Sequence, residues 1–290
     1  MIEKNIKIIK ELPIWEGKIS IKNLDGGLTN SNYLVIDNSK KLVVRLGEDI
    51  LEHHILRSNE LMSSKAAYEV GIGPKVIFSS QGVLVMEYIE SQTMNDKNVR
   101  NNLDTIISLI KNVHNEMPQK IDGPAMIFWV FHVIRNYARF LKIKNSSHIA
   151  ILDRLLELNN YLEIKSSPHK IVFCHNDLLP ANFLQDSSKI WLIDWEYSGF
   201  NDPFFDLGGL SSNNNFSKDE EIYLLENYFN NKINPEILKK YHIMKCASLL
   251  RETMWSMVSE ITSKIEFNYA EYTKENLNKF EISYKKLDEI

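Results

Sequence analysis

Asp177, Asn182 and Asp194 are the residues whose types and spacing could do chemistry together. The first two lie in His175-Asn176-Asp177-Leu178-Leu179-Pro180-Ala181-Asn182, and Asp194 follows the apolar run 190–193. Magnesium keeps several waters and takes one or two carboxylates plus phosphate oxygens, so one aspartate and one asparagine suffice as protein ligands. A second aspartate on the same loop can accept the proton of an attacking hydroxyl. Each residue alone has an ordinary use. Asp177 could cap a turn or helix, Asn182 could sit in a turn, and Asp194 could end a strand. Their occurrence together, in this order, argues for a site that holds a magnesium nucleotide beside a hydroxyl.

The elements that must position these residues can be read around them. Runs 171–173 and 190–193 are β-type and deliver polar residues at their C-terminal ends. Upstream, residues 2–11 predict a short amphipathic helix stopped by Pro13. A strand over 19–24 leads into the turn Asp25-Gly26-Gly27, and strands 33–36 and 42–46 flank Asp37-Asn38-Ser39-Lys40. A helical pattern from about 52 to 70 stops at Gly71-Ile72-Gly73-Pro74, before strands at 76–78 and 83–86. Residues 97–114, 124–143 and 147–163 then read as helices, and mostly helix follows Pro203. The expected fold is α+β with two lobes: a small β-rich lobe over 1–90 and a larger, mainly helical lobe over 91–290. The hinge is expected near 87–95.

Composition narrows the function classes. With 290 residues the chain can bury a large core without disulfides. A net charge of −4 argues against a nucleic-acid binder held by phosphate contacts. Cys174 and Cys246 have neither a disulfide framework nor metal-ligand spacing. No apolar run approaches the ~20 residues that span a bilayer, and the start lacks the uninterrupted apolar region of a signal peptide. The expectation is a cytoplasmic protein with no membrane or nucleic-acid partner. His53-His54 reads as a solvated helix start. No G-x-S-x-G or Cys–His arrangement invites a covalent enzyme intermediate.

His-x-Asp-x-x-x-x-Asn, here His175 through Asn182, resembles the catalytic loop of kinase-like phosphotransferases, and Asp194-Trp195-Glu196 stands where protein kinases carry Asp-Phe-Gly. The strings at 173–178 and 193–197 look like the choline/ethanolamine kinase family, related to the aminoglycoside phosphotransferases. Gly26-Gly27-Leu28-Thr29-Asn30 and Gly73-Pro74 extend the resemblance, which runs from about 24 to 258. It implies a protein-kinase-like fold using ATP and Mg2+, with Asp177 the catalytic base and Asn182 and Asp194 the metal ligands. Gly27, Thr29 and Asn30 would approach the nucleotide phosphates through a glycine turn. Arg45 would replace the phosphate-contacting lysine, oriented by Glu60, although Arg57 and Glu60 could instead form a plain ion pair. The linker at Glu87 and Tyr88 would receive adenine, and Asp206 would brace the catalytic loop through backbone hydrogen bonds.

A quaternary ammonium is bound by aromatic faces with nearby carboxylates. Tyr197 matches a family aromatic that contacts choline. In a helix expected over about 242–262, Trp255 falls outside the apolar stripe of Ile243, Ala247, Leu250, Met254, Met257 and Ile261. It lies among Ser248, Arg251, Glu252 and Ser259, so it could face an acceptor, with Glu252 as the carboxylate. Packing against another helix would equally account for it. Phe128, Trp129 and Phe131 read as core. The resemblance thus points to a small-molecule kinase acting on choline, with ethanolamine, thiamine or an aminoglycoside as alternative acceptors. A catalytically silent nucleotide-binding protein is the remaining rival.

Overall fold

Asn38 shows how local chemistry sets the first hairpin. In the computed structural model, which describes residues 2–24, 27 and 29–289, Asn38 adopts φ 55° at the turn joining β2 (Ser31–Asp37) to β3 (Lys40–Leu46). Asparagine tolerates this left-handed conformation, which matches the twist of the flanking strands. With β1 (Ile19–Leu24), β4 (Val76–Ser80) and β5 (Val83–Glu87), these strands form an antiparallel sheet in the order β1-β2-β3-β5-β4. Alternation places Tyr33, Val35, Leu42, Val44 and Val85 in one apolar cluster. Helix α1 (Ile2–Lys10) seals it with the fully buried Ile9.

Helix α2 (Arg57–Glu69) starts later than the sequence pattern suggested. Residues 51–53 form a separate 3-10 turn, closed by His54 at φ 61°. The helix ends as expected: Gly71 takes φ 76°, and the amides of Ile72 and Gly73 return to the Ala67 carbonyl. Ala66 and Ala67 of α2 belong to the large apolar cluster of the helical part rather than to the sheet's own cluster.

After β5 come the short strand β6 (Gln92–Thr93), α3 (Asp96–Asn101) and α4 (Leu103–Asn115), then α5 (Val130–Ile143) and α6 (Ile149–Lys165). The single helix expected over 97–114 is two, because Asn102 leaves helical geometry at φ −116°. Residues 124–129 are extended rather than helical, since Ile127 bridges Phe200 and the Met126 carbonyl accepts the Phe200 amide. Strands β7 (Val172–Cys174), β8 (Phe183–Gln185), β9 (Ile190–Leu192) and β10 (Gly199–Asn201) form two small sheets, β10-β7 and β6-β8-β9. Helices α7 (Pro203–Asn213), α8 (Lys218–Phe229), α9 (Pro235–Thr262) and α10 (Tyr269–Lys285) complete the fold.

Helix α9 is the axis of the helical part. Asn234 caps it by accepting from the Ile237 amide at 2.9 Å, with Pro235 in the first turn. Leu250, Met254, Met257 and Val258 are fully buried, and each such side chain contributes about 1.5–3 kcal/mol. The polar side of α9 is buried as well: Ser248, Arg251, Glu252 and Ser259 all lie inside. Gly208 lets α7 cross α9 closely, since a Cβ there would stand 2.7 Å from the Lys245 Cα. Among the described residues, no helix is long and apolar enough to cross a membrane.

Candidate active site

The loop after β7 is held from behind by Asp206 on α7. Its Oδ2 accepts from the His175 amide at 2.8 Å and its Oδ1 from the Asn176 amide at 2.7 Å. His114 Nε2 reaches Oδ2 at 3.0 Å while its Nδ1 meets the Tyr228 hydroxyl. Burial pushes the Asp206 carboxyl up, but the hydrogen bond and charge of His114 hold it below the ordinary value. His114, Cys174 and Asp206 lie close enough to suggest a metal cluster. Both Asp206 oxygens are already used, however, and burial keeps the Cys174 thiol protonated, so the group is a hydrogen-bonded brace.

Asn176 adopts φ 65° and fastens its amide to the carbonyls of Tyr197 and Gly199. His175 donates from Nε2 to the Ile193 carbonyl at 2.9 Å and accepts the Asp177 amide at Nδ1. The loop is therefore tied to the β9 turn on one side and to α7 on the other. Asp177, 12% exposed, projects from it. Burial raises its pKa to about 7; Arg251 opposes that shift, while Glu252 and Asp194 add to it.

Asn182 Nδ2 donates to the Asp177 carbonyl at 2.8 Å, and no protein donor meets its amide oxygen among the described residues. Asp194, at φ 69°, gives one oxygen to Arg45 at 2.6 Å and leaves the other without a protein partner among the described residues. An amide oxygen and a carboxylate oxygen left open beside Asp177 are a hard donor set, which fits magnesium.

On the sheet side, charges alternate along a buried chain. Arg45 contacts Glu60 as well as Asp194, and its Nε reaches Asn32 at 3.2 Å. Glu60 also takes Arg57 at 2.7 Å, so both pairings that the sequence left open occur together. Arg57 continues to Glu196 at 2.9 Å, and Glu196 accepts from the Thr29 hydroxyl at 2.8 Å. Burial opposes the Arg45 charge, yet Asp194 and Glu60 hold its pKa above the usual value. Burial, with Asp194 adding, pushes Glu196 up to about 8 against the pull of Arg57.

Gly27 takes φ 93°, which only glycine adopts readily, and a Cβ there would meet Asn30 Oδ1 at 2.9 Å. Asn30 leans its amide on Thr29 Oγ1 at 3.3 Å. Asp25, Gly26 and Leu28 of the same turn lie outside the described residues. At the linker, Glu87 and Tyr88 use their amides on the Lys75 and Lys41 carbonyls. The Ile89 amide, by contrast, meets no protein acceptor among the described residues.

On the helical side, Tyr197, Glu252 and Trp255 converge, all buried. Trp255 Nε1 donates to the Tyr197 hydroxyl at 2.9 Å, and its ring stands near His53, Tyr269 and Tyr272. Glu252 accepts from Tyr272 at 2.8 Å and from Arg251 Nη1 at 2.7 Å. The Arg251 guanidinium carbon lies 4.4 Å from the Tyr197 ring centre and 5.8 Å from that of Phe128. Its Nη1 stands 3.4 Å from Asp177. Phe128, read from sequence as core, also borders this group.

Reading from sequence missed Arg251, Glu196 and His53. Arg251 and Glu252 stand as adjacent opposite charges in an otherwise uncharged stretch of α9, which was the available signal. His53 is not solvated: it is 3% exposed, pressed against Trp255 and bonded through Nε2 to Ser259. Burial, Arg251 and His54 lower its pKa to about 3, so it is neutral at pH 7. A cavity of about 440 Å³ opens among the C-terminal helices, one of about 510 Å³ between the α3–α4 junction and α8, and one of about 300 Å³ beside Arg45. None of the three is lined by Asp177, Tyr197, Glu252 or Trp255.

The choline/ethanolamine kinase family model matches residues 21–224. Protein LicA of Haemophilus influenzae is 27% identical over 91% of this chain and 79% of its own. Human ethanolamine kinase 2 is 25% identical over 95% of this chain and 79% of its own. Among solved structures, choline kinase LicA from Streptococcus pneumoniae shares the fold. Its TM-score is 0.77, at 24% identity, with 100% of this chain and 99% of that one covered.

Proposed function

Because the chain belongs to the choline/ethanolamine kinase family, and is thus a small-molecule kinase, we propose that it transfers the γ-phosphoryl group of ATP to the hydroxyl of choline. The products are phosphocholine and ADP. The observation that carries this reading is Asp177: a largely buried carboxylate with pKa about 7 beside an aromatic and carboxylate seat that houses a cation.

Asp177 accepts the acceptor's proton as its oxygen attacks. A base titrating near neutrality balances ionised fraction against proton affinity. Asn182 and Asp194 would hold magnesium, which supplies charge neutralisation on the phosphates. Arg45, fixed by Glu60, adds a guanidinium on the nucleotide side, and the glycine turn at Gly27 lets backbone approach phosphate oxygens. The adenine meets the linker at the Ile89 amide, since the Glu87 and Tyr88 amides are already engaged. Catalysis then rests on alignment and charge rather than on a covalent intermediate.

One observation favours ethanolamine as a second reading. The buried His53 Nδ1 and Tyr137 hydroxyl have no partner among the described residues, and either could accept a hydrogen bond from a primary ammonium. A quaternary ammonium has no such proton to give. ATP consumption against choline, ethanolamine, thiamine and kanamycin separates these cases. The highest kcat/KM is expected for choline. Ethanolamine ahead by more than about tenfold would move the assignment to the second reading, and turnover of neither amino alcohol would overturn both.

A further inference from the structure

We infer that in the acceptor-free protein the Arg251 guanidinium occupies the seat of the acceptor's ammonium, and that the acceptor binds by displacing it. The inference rests on the amino-alcohol reading above and adds a residue that sets acceptor affinity.

Three observations converge on Arg251. It has the surroundings that a bound ammonium would need: the Tyr197 ring at 4.4 Å, the Glu252 carboxylate at 2.7 Å and Asp177 at 3.4 Å. The walls are already fixed without it, because Trp255 is bonded to Tyr197 and Tyr272 to Glu252. Arg251 also fits this seat poorly. Among the described residues its Nε and Nη2 are buried with no hydrogen-bond partner, although a guanidinium carries five donors that need acceptors. A quaternary ammonium has no donors and would leave none unmade, so it suits an aromatic and carboxylate box better than the residue now inside.

The seat cannot hold both cations. Arg251 is 3% exposed, so no room remains beside Tyr197, and two like charges in one buried site repel. Displacement needs only a side-chain rotation, since the stem is anchored on α9. Apparent affinity is then the intrinsic affinity scaled by the fraction of molecules with the seat open. Removing the guanidinium should tighten acceptor binding, the reverse of what losing a contact residue does.

Arg251→Met keeps an apolar stem of similar length and removes the charge; Arg251→Lys keeps the charge. The expected result is a choline KM about tenfold lower in the Met variant and near wild type in the Lys variant. Tetramethylammonium, which has no hydroxyl, should likewise bind the Met variant about tenfold more tightly in calorimetry. That arm separates the two proposals. If tetramethylammonium tightens but choline is not phosphorylated, the acceptor assignment fails and the displacement stands. A KM that is unchanged or raised, or a lower kcat restored by added guanidinium, would make Arg251 a positioning residue and overturn the displacement. Should the Met variant not fold, wild-type protein labelled with 15N-arginine gives the answer. Saturating tetramethylammonium should turn a slowly exchanging Nε–H into a fast one, and retained protection contradicts displacement.

Discussion

Arg45 and Arg251 are both buried guanidiniums set between two carboxylates, yet they are held differently. Arg45 lies between Glu60 and Asp194, and its Nε also finds Asn32. Arg251 lies between Glu252 and Asp177, the second contact at 3.4 Å, with Nε and Nη2 unpaired among the described residues. The first is part of a continuous chain through Glu60, Arg57 and Glu196 to Thr29, so it cannot move without uncoupling α2 from the sheet and from the Asp194 turn. The second rests on an aromatic face and a single close carboxylate. A buried charge is a fixture where its donors are paired, and it is movable where they are not.

The comparison can be tested by removing groups on each side, beginning with the largest effect. Asp177→Asn should lower kcat by about 10²–10⁴-fold while the melting temperature stays near wild type, as expected for loss of a general base. Glu60→Ala would leave Arg45 and Arg57 facing each other without their shared anion. Denaturant unfolding should show a loss of about 3–5 kcal/mol, with the KM for ATP raised more than that for choline. A change confined to choline would erase the distinction between the two sides. The pH profile comes next. Asp177 is raised to about 7 and must be ionised to act, so kcat/KM should climb with pH and level off above about 7. Arg251 opposes that shift, so Arg251→Met should move the midpoint upward, whereas Glu60→Gln should leave it in place. Trp255→Phe should have the smallest effect. It removes the donor to Tyr197, costs about 1 kcal/mol, and should raise the choline KM modestly with the ATP KM unchanged.

What could be read from the sequence is local. The glycine stop after α2, the hairpin at Asn38, the helix after Pro203 and the pairing of Arg45 with Glu60 depend on neighbours in the chain or on a motif. Asp202 caps that helix by accepting the Phe204 amide at 2.9 Å, and Asp206 does receive the amides of His175 and Asn176. What escaped depends on distant partners. Residues 124–129 have helical composition but lie extended, because Phe200 offers them a strand edge. His53 looks like a surface residue until the turn over 51–53 is packed against α9. The polar side of α9 marks Trp255 as unusual, but periodicity could not reveal that Arg251, one turn before it, fills the space the tryptophan helps to wall. Asn32 and Glu196 have no spacing signal, since their partners Arg45, Arg57 and Thr29 meet them only in the folded chain.

Transfer of phosphate to the hydroxyl of a cationic amino alcohol, with Asp177 as base, can be followed by phosphorus NMR of the reaction. With wild-type protein, ATP, magnesium and choline, a phosphocholine resonance should grow in step with ADP, and about 10²–10⁴-fold more slowly with Asp177→Asn. ADP accompanied only by inorganic phosphate, or phosphocholine formed at an undiminished rate by Asp177→Asn, would contradict this chemistry.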